Sequence, residues 1–458
     1  MNGSATLPIV ERGEYRFPPG LRHNLPFYMG RKPWARIGRP ILLFEHLAKT
    51  YGPATHYRMM GTDILFLNHP DFVQEVLVTQ SGNFIRERTL RRMKILLGEG
   101  LLTSNDPVHM QHRRIVAPAF HRQRIAAYAD EIVRSAAAMA ERWKSGQTID
   151  IGAAMMELSL SIVARTLFAS EVTEDVRAIN HETHAIMRLY NLLVILPRLE
   201  SYLHWPLPGV TRFRKARAHL DSVAYRIIRE RREDPEDRHD LLSMLLLSRD
   251  EEGNALSDEQ VRDEMLTIFL AGYETTANAL TWTWYLLSQN PDARQQMHAE
   301  LDRVLAGRTP TLADYANLTY TQQVFSESMR LYPPAWAMGR EAVVDVELGP
   351  YRIPAGSHVF FSQWIIHRSP EFFPDPLRFD PSRHTDAAKA ARPRFAYFPF
   401  GGGSRQCIGE SFAWMEGILA LATIAQQWKL SLVPNQRIDV QEKITLRPRY
   451  PILMTPQR

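Results

Sequence analysis

Apolar residues recur every three or four positions from about residue 108 to residue 244, a spacing that predicts a succession of amphipathic helices. Ahead of them, apolar and β-branched residues flank Gly61 and Thr62, which predicts two strands joined by a turn between Thr55 and Pro70. Strand-like stretches return between Arg340 and Arg368, where Gly-Pro and Pro-Ala-Gly interrupt them. The pattern therefore predicts a mainly α-helical protein with small β-sheets.

The longest helix is predicted to begin at Ser257, whose hydroxyl can cap the first turn while Gln260 returns a hydrogen bond three residues later. The helical pattern then continues without proline for about 32 residues, which is long for a globular helix. Within it, residues 265–287 carry one charged side chain, Glu274, in a length that can span a bilayer. Five threonines and Asn278 instead favour a helix buried on nearly all sides in a large soluble core.

The composition is typical of a soluble globular protein, with 45% apolar and 23% charged residues in a chain of 458 residues. A net charge of +5 is too small to indicate nucleic-acid binding without a local basic patch. The chain has one cysteine, so it cannot form an intramolecular disulfide, and this fits a reducing compartment. The N-terminal residues contain no apolar signal-peptide core, and we expect a cytoplasmic protein without a transmembrane anchor.

The single cysteine, Cys407, lies in the glycine-rich stretch FPFGGGSRQCIGE, residues 398–410. So many glycines carry an entropic cost that the packing of an ordinary buried cysteine does not call for. An apolar face follows at helical spacing, formed by Phe412, Met415, Leu419 and Ala422. The sulfur is thus predicted at the positive end of a helix, with Arg405 nearby, an environment that favours the thiolate. The alternative is a buried cysteine that acts as a small hydrophobic side chain.

The loop around the cysteine matches the pattern F-x-x-G-x-R-x-C-x-G at Phe400, Gly403, Arg405, Cys407 and Gly409. In this it resembles the haem-thiolate loop of the cytochrome P-450 family. Other stretches resemble further motifs of that family, in the same order along almost the whole chain: HMQHR (His109 to Arg113), AGYETT (Ala271 to Thr276), ESMR (Glu327 to Arg330) and PLRF, which contains Arg378.

The resemblance implies a soluble, bacterial-type cytochrome P-450 without a fused reductase, folded as a single domain over residues 1–458. Haem b would lie between a long distal helix and the loop around Cys407, with the thiolate as axial ligand of the iron. The fold would comprise an extended N-terminal segment at 1–32, a small β-rich lobe near 50–70 and 340–370, and an α-rich remainder.

The same resemblance implies catalytic roles on the distal helix. Thr275 would donate a hydrogen bond to oxygen bound at the iron, Glu274 would help to bring in protons, and Ala271 would leave room at the haem face. The alternative for Thr275 and Thr276 is a hydrogen bond from each hydroxyl back to a carbonyl one turn earlier.

The haem propionates are carboxylates and need cationic or N–H partners. The resemblance gives this role to His109, Arg113, Arg340 and Arg405. Each of these side chains has the alternative of being a solvated surface charge. Phe400, Gly403 and Gly409 would complete the cofactor-binding loop.

Glu327, Arg330 and Arg378 would form a buried charge network that holds the proximal side of the fold. We treat these residues as structural rather than catalytic. On spacing alone, Glu327 and Arg330 could be only a surface pair on one helix face.

The segment after the double proline would border the haem pocket with Ala335, Trp336 and Ala337, of which Trp336 is the bulky apolar side chain that shapes it. Residues 191–209 are apolar and interrupted by proline, as expected of a lid over an access channel; they could also rest on a membrane surface or belong to the core. The first two alternatives favour a lipophilic substrate.

The expected reaction is that of a monooxygenase, which uses O2 and two external electrons to hydroxylate or epoxidise a lipophilic small molecule. The alternatives are a peroxygenase, an isomerase or dehydratase on the same fold, or a haem-binding sensor or carrier. The chain ends soon after Cys407, so we expect electrons from a separate ferredoxin, flavodoxin or flavoprotein reductase. A basic docking face is predicted for it, made of Arg114, Arg122, Arg124, Lys389, Arg392 and Arg394.

Overall fold

The structure is a computed structural model that describes residues 9–36, 38–168, 205, 208–234, 236–238, 240–249, 253 and 255–458. The side chain of Arg122 lies outside this description, as does most of the predicted lid at 191–209.

The described helices have these bounds: α1 (Leu25–Tyr28), α2 (Pro40–Tyr51), α3 (Pro70–Gln74), α4 (Arg88–Arg91), α5 (Lys94–Leu97), α6 (Val108–Val116), α7 (Arg122–Ala127), α8 (Ala129–Glu141), α9 (Ile151–Phe168), α10 (Pro208–Glu233), α11 (Leu241–Leu247), α12 (Asp258–Gln289), α13 (Pro291–Leu305), α14 (Thr319–Leu331), α15 (Gln363–Ile366), α16 (Asp386–Ala390) and α17 (Glu410–Gln427).

The described strands are β1 (Val10–Arg12), β2 (Tyr15–Phe17), β3 (Ala54–Met59), β4 (Thr62–Leu67), β5 (Phe84–Arg86), β6 (Ile149–Asp150), β7 (Met338–Ala342), β8 (Val346–Leu348), β9 (Tyr351–Ile353), β10 (His358–Phe361), β11 (Lys429–Leu432), β12 (Val440–Glu442), β13 (Leu446–Pro448) and β14 (Leu453–Gln457).

The largest sheet has the order β3-β4-β10-β7-β5 and joins the two strand-rich regions that the sequence predicted separately. β4 runs parallel to β10, and β5 runs antiparallel to β7 with Arg86 opposite Arg340. The other sheets have the orders β1-β2-β9-β8, β11-β14-β6 and β12-β13. The predicted hairpin is confirmed, and its turn lies at Met60 and Gly61, which both have positive φ. The mainly α-helical fold with small sheets is confirmed, whereas the division into domains stays a prediction.

Helix α12 begins as predicted, because Gln260 N–H donates to Ser257 Oγ at 3.2 Å and Ser257 N–H donates to Gln260 Oε1 at 2.9 Å. It runs for 32 residues and packs against α9, α14 and α17. Its side chains are buried from Val261 to Phe269 and again from Thr276 to Trp284. The helix is therefore the central element of the core, and this accounts for its apolar sequence.

Among the described helices, α9 is the one that is long and apolar enough to cross a bilayer by length and composition. Inside the fold, however, 61% of it is buried. It packs against α8 and α12, as the core helix of a globular protein does.

A smaller hydrophobic core lies beneath the five-stranded sheet, where Leu65 and Val359 pack with Phe395 and Phe398. The chain leaves this core at Phe398 and enters the glycine-rich stretch, so the packing of the sheet fixes where the loop begins.

Candidate active site

The glycines of the loop before Cys407 are required by its shape. Gly401 and Gly403 have φ of 74° and 68°, in the left-handed region that side chains disfavour. A Cβ on Gly403 would lie 1.9 Å from the carbonyl oxygen of Leu77, and one on Gly402 would lie 2.5 Å from the ring of Phe395. The chain then turns back, and Cys407 N–H donates to the carbonyl of Phe400 at 3.0 Å. The glycines thus let the backbone bring Cys407 to the start of α17.

The sulfur of Cys407 accepts a hydrogen bond from the backbone N–H of Gly409, the residue that caps α17. Burial nevertheless raises the pKa of the Cys407 thiol to about 11, since it outweighs the effects of that hydrogen bond and of Arg113. In the protein without a metal, burial thus outweighs the hydrogen bond by which the helix end favours the thiolate. On binding a metal ion the thiol would release its proton to solvent, and the Gly409 N–H would then donate to the thiolate. Although protein atoms surround the thiol closely enough to raise its pKa, the side chain is still accessible from one side, so a ligand can reach the sulfur.

The middle of α12 differs from its two buried halves. Ala271 is exposed, and Gly272, Glu274 and Thr275 are partly exposed, although the helix is buried before and after them. This short stretch is therefore accessible to a ligand in the middle of an otherwise buried helix. The Thr275 hydroxyl donates to the carbonyl of Ala271 at 2.8 Å, and that of Thr276 donates to Gly272 at 3.3 Å. This is the back-bonded alternative from the sequence, and each oxygen can still accept a further hydrogen bond.

Glu274 is held from outside its own helix. The hydroxyl of Thr445, between β12 and β13, donates to Glu274 Oε1 at 2.5 Å. Asn278, one turn further along α12, donates its side-chain amide to Thr445 Oγ1 at 3.3 Å. The acid identified in the sequence is thus joined to the C-terminal hairpin, a contact that no motif had indicated.

Four of the basic residues lie close enough to interact, and one of them was not predicted. Arg86 lies opposite Arg340 in the β5–β7 pair and also interacts with Arg405, which in turn interacts with His109. Burial and Arg405 lower the pKa of His109 to about 4, so its imidazole is neutral near pH 7. Burial, followed by Arg405, lowers the pKa of Arg340 to about 10. This group of residues, Arg86, His109, Arg340 and Arg405, is called the basic cluster below.

The basic cluster contains few anions of its own. Asp106, whose side chain is 54% exposed, accepts from Arg405 at 3.3 Å and from His109 at 3.1 Å. Arg86 Nε is buried without a hydrogen-bond partner among the described residues. Because cations packed together in a buried site repel one another, this arrangement fits a bound dianion. Arg113, the other predicted propionate partner, instead donates to the carbonyl of Gln406 at 2.8 Å and braces the cysteine loop.

Glu327 and Arg330 are fully buried and form a bidentate pair, with distances of 2.7 Å and 2.8 Å. The prediction for Arg378 needs correction: its side chain is exposed, and only its carbonyl oxygen contacts Arg330. Arg383 and His384 instead approach Glu327, at 3.5 Å and 3.0 Å. Burial disfavours the carboxylate, yet the hydrogen bonds from Arg330 and His384 keep the pKa of Glu327 below its ordinary value.

A family model described as Cytochrome P450 matches residues 18–455 of the chain. The chain belongs to the cytochrome P450 family. A cyclooctatin synthase from Streptomyces melanosporofaciens is 38% identical over 99% of this chain and 98% of the relative. A cyclooctat-9-en-7-ol 5-monooxygenase from the same organism is 37% identical over 87% and 86%, and a pentalenene oxygenase from Streptomyces avermitilis is 33% identical over 88% and 89%.

Two solved cytochrome P450 structures are similar to this one throughout. A cytochrome P450DA haem domain has a TM-score of 0.85 and 26% identity, over 96% of this chain and 97% of that one. The retinoic acid-bound cyanobacterial CYP120A1 has a TM-score of 0.84 and 25% identity, over 97% and 100%. The resemblance and the fold are thereby confirmed.

This P450 is an oxidoreductase that binds haem b through a cysteine thiolate, as its family does. Cys407 is its only cysteine and thus the only thiolate that can hold the iron. The residues present fit the cofactor, since an accessible sulfur with an N–H donor and a basic cluster match a metal and two carboxylates. The family takes lipophilic substrates, O2 and electrons from redox partners. The roles of the remaining site residues stay predictions.

The three predicted substrate residues of this P450 differ in how far their side chains are buried. Trp336 is buried, and its indole N–H donates to the carbonyl of Lys443 at 2.8 Å, so the ring belongs to the core beside Phe44. Ala335 and Ala337 are partly exposed on either side of it. The small side chains, rather than the tryptophan, are thus available to a ligand.

Glu416 is a buried carboxyl group beside the distal motif, and the sequence did not predict it. Glu416 on α17 is fully buried, accepts from the Ser159 hydroxyl at 2.5 Å and also interacts with the side chain of Thr276. Burial raises its pKa to about 8, so the group is mostly protonated at neutral pH. Its position on the apolar face of α17 gave no sign of this, because the partners come from α9 and α12.

Proposed function

We propose that this P450 is a monooxygenase that hydroxylates or epoxidises a cyclic terpenoid. The main support is its similarity, over 87% and 88% of the chain, to enzymes named for cyclooctat-9-en-7-ol and pentalenene. An apolar substrate of this kind suits the small side chains of Ala271, Ala335 and Ala337.

Haem b supplies the activation of O2 when it is bound. The chain's own part is to hold the sulfur of Cys407 with the N–H of Gly409, to neutralise the propionates with the basic cluster, and to deliver protons. For delivery, Glu274 would carry a proton on a carboxylate oxygen, and the Thr275 hydroxyl would leave the carbonyl of Ala271 to donate towards the reacting oxygen. The helix is buried on both sides of this path, from Val261 to Phe269 and from Thr276 to Trp284.

Electrons would reach the haem from a separate ferredoxin, flavodoxin or flavoprotein reductase on the side of Cys407. Of the basic residues predicted for docking, Arg114, Lys389 and Arg394 are exposed. Arg392 serves the fold instead, because its guanidinium lies 4.6 Å from the ring centre of Phe373. The exposed cations favour an acidic partner, whose binding should weaken with salt. We further propose that the protein works in the cytoplasm.

The test is reconstitution of the purified haem protein with O2, a ferredoxin and its reductase, and a panel of cyclic terpenes, steroids and fatty acids. The expected result is a high-spin shift and an oxygenated product with a terpene, and a fall in product per electron in T275A. Product from hydrogen peroxide alone at an equal rate would favour the peroxygenase, and haem binding without any turnover would favour a carrier.

A further inference from the structure

We propose that Thr445 is a positioning residue that holds the carboxylate of Glu274 in the orientation needed for proton delivery. The inference rests on the proposed function of Glu274 and extends it to a residue 171 positions away in the chain. The Thr445 hydroxyl is buried, with 6% of the residue exposed, and donates to Glu274 Oε1 at 2.5 Å. A hydroxyl in this setting has little competition from solvent, so the bond to a charged partner is strong.

The direction of this hydrogen bond is set by a third residue. Asn278 is 2% exposed and donates its amide N–H to Thr445 Oγ1 at 3.3 Å. A threonine hydroxyl has a single hydrogen, and the Asn278 amide already occupies an acceptor site on the oxygen. The hydrogen of Thr445 is therefore left for Glu274, and the three side chains form one directed chain from Asn278 to Thr445 to Glu274.

The turn that carries Thr445 is itself fixed to the protein on both sides. The indole N–H of Trp336 donates to the carbonyl of Lys443 at 2.8 Å, and the indole N–H of Trp282 donates to that of Leu446 at 3.2 Å. The backbone N–H of Leu446 donates to the carbonyl of Pro334 at 2.9 Å. Since Lys443 and Leu446 flank Thr445 closely, the hydroxyl has a fixed position relative to α12.

The two carboxylate oxygens of Glu274 therefore have different roles. Oε1 is held by Thr445, whereas Oε2 has no hydrogen-bond partner among the described residues. One oxygen thus fixes the rotamer and the other is free to carry a proton. Without Thr445, the partly exposed carboxylate could rotate among several rotamers, and only a fraction of them would point Oε2 towards Thr275.

The contact is tested without turnover by a double-variant cycle in the haem-bound protein, with T445V, E274Q and both together. Urea unfolding gives the free energy of unfolding of each. We expect the change in the unfolding equilibrium constant of the double variant to differ by roughly threefold or more from the product of the single changes. A crystal structure of T445V should show the Glu274 carboxylate in more than one rotamer. Additive effects together with an unmoved carboxylate would overturn the inference.

The functional part is tested by the ratio of oxygenated product to hydrogen peroxide per electron pair. T445V should lower this ratio roughly threefold to tenfold, as expected for loss of a charge-assisted hydrogen bond, and T445S, which keeps the hydroxyl, should restore most of it. T283V is the matched control. Thr283 is fully buried on α12, the helix that carries Glu274, and its hydroxyl donates to the carbonyl of Ala279 at 2.7 Å. T445A replaces T445V if the latter does not fold.

The outcomes separate the two proposals. If E274Q lowers the ratio of product to hydrogen peroxide while T445V gives the same ratio as T283V, the positioning role of Thr445 is wrong and the role of Glu274 stands. If E274Q leaves the ratio unchanged although the cycle shows coupling, Glu274 is not the proton carrier. The proposed function of the acid then fails, and the positioning role fails with it, even though the contact is real.

Discussion

Arg86 and Arg340 lie directly opposite each other on the antiparallel strands β5 and β7. Like charges at opposed positions of a sheet are destabilising, and here Arg340 is also buried. Burial lowers the pKa of Arg86, with the guanidinium groups of Arg340 and Arg405 as the next causes. Such a pair is tolerated when an anion binds between the cations, and this is the physical basis for assigning Arg86 to the propionates.

We therefore predict that R86M and R340M each weaken haem binding roughly tenfold, through loss of a charge-assisted hydrogen bond. The rate of haem transfer to a scavenger protein measures how strongly each variant holds haem. R88M is the control, because Arg88 is exposed two residues further on. The free energy of unfolding of the haem-free protein should not fall, because either substitution removes the repulsion between the two guanidinium groups. Haem retention like that of R88M would contradict the assignment.

Cys407 is the residue on which the cofactor depends. In C407S the hydroxyl stays protonated, whereas the thiol would release its proton to solvent on binding the metal, so we expect a loss of the thiolate-type absorption of the reduced carbon monoxide complex. The measurement is that spectrum, with iron content and circular dichroism on the same sample. A folded C407S protein with an unchanged spectrum would disprove thiolate ligation by Cys407.

Removal of the charge of Glu327 should be costly. E327Q leaves Arg330 buried without its counter-ion, and we expect a loss of about 3–5 kcal/mol in the free energy of unfolding. The folded-state pKa of Glu327 lies below its ordinary 4.5, so this stabilisation is present above about that pH and is lost as the pH falls through the folded-state value. Urea unfolding of both proteins at a series of pH values measures it. A loss below about 0.5 kcal/mol would mean that the network does not stabilise the fold.

Two arginines near this network provide a matched comparison. Arg378 is exposed, whereas the side chain of Arg383 is 11% exposed and lies 3.5 Å from Glu327. We predict that R378A changes the free energy of unfolding by less than about 0.5 kcal/mol and that R383A costs about 1–3 kcal/mol. Thermal or urea unfolding distinguishes them. A larger loss of stability in R378A than in R383A would show that Arg378, and not Arg383, belongs to the charge network.

Glu416 should make the protein less stable as the pH rises. Its folded-state pKa is about 8 against an ordinary 4.5, so between these values the folded protein binds a proton that the unfolded chain has released. Over that window the free energy of unfolding falls by about 1.4 kcal/mol per pH unit from this group. E416Q keeps the shape of the neutral acid and should remove the slope. Equal pH dependence of the two proteins would show that Glu416 is ionised in the fold.

The correction at Arg378 shows where sequence reasoning stops. The spacing of Glu327 and Arg330 by three residues places them on one helix face, and this local geometry holds in the fold. The third cation comes from an irregular segment, where one turn decides whether Arg378 or Arg383 faces inward. The short helical turn from Pro381 to His384 directs Arg383 and His384 to the carboxylate. No periodicity in the sequence encodes that turn.

By itself, the sequence determined whatever depends on residues close together in the chain. The glycines before Cys407, the capping box of α12 and the apolar face of α17 follow from backbone freedom, local hydrogen bonding and helical period. Only the tertiary structure decided which distant groups meet: Arg86 with Arg340, Glu416 with Thr276, and Thr445 with Glu274. Such contacts depend on how sheets and helices pack, and packing is set by the whole core rather than by any one segment.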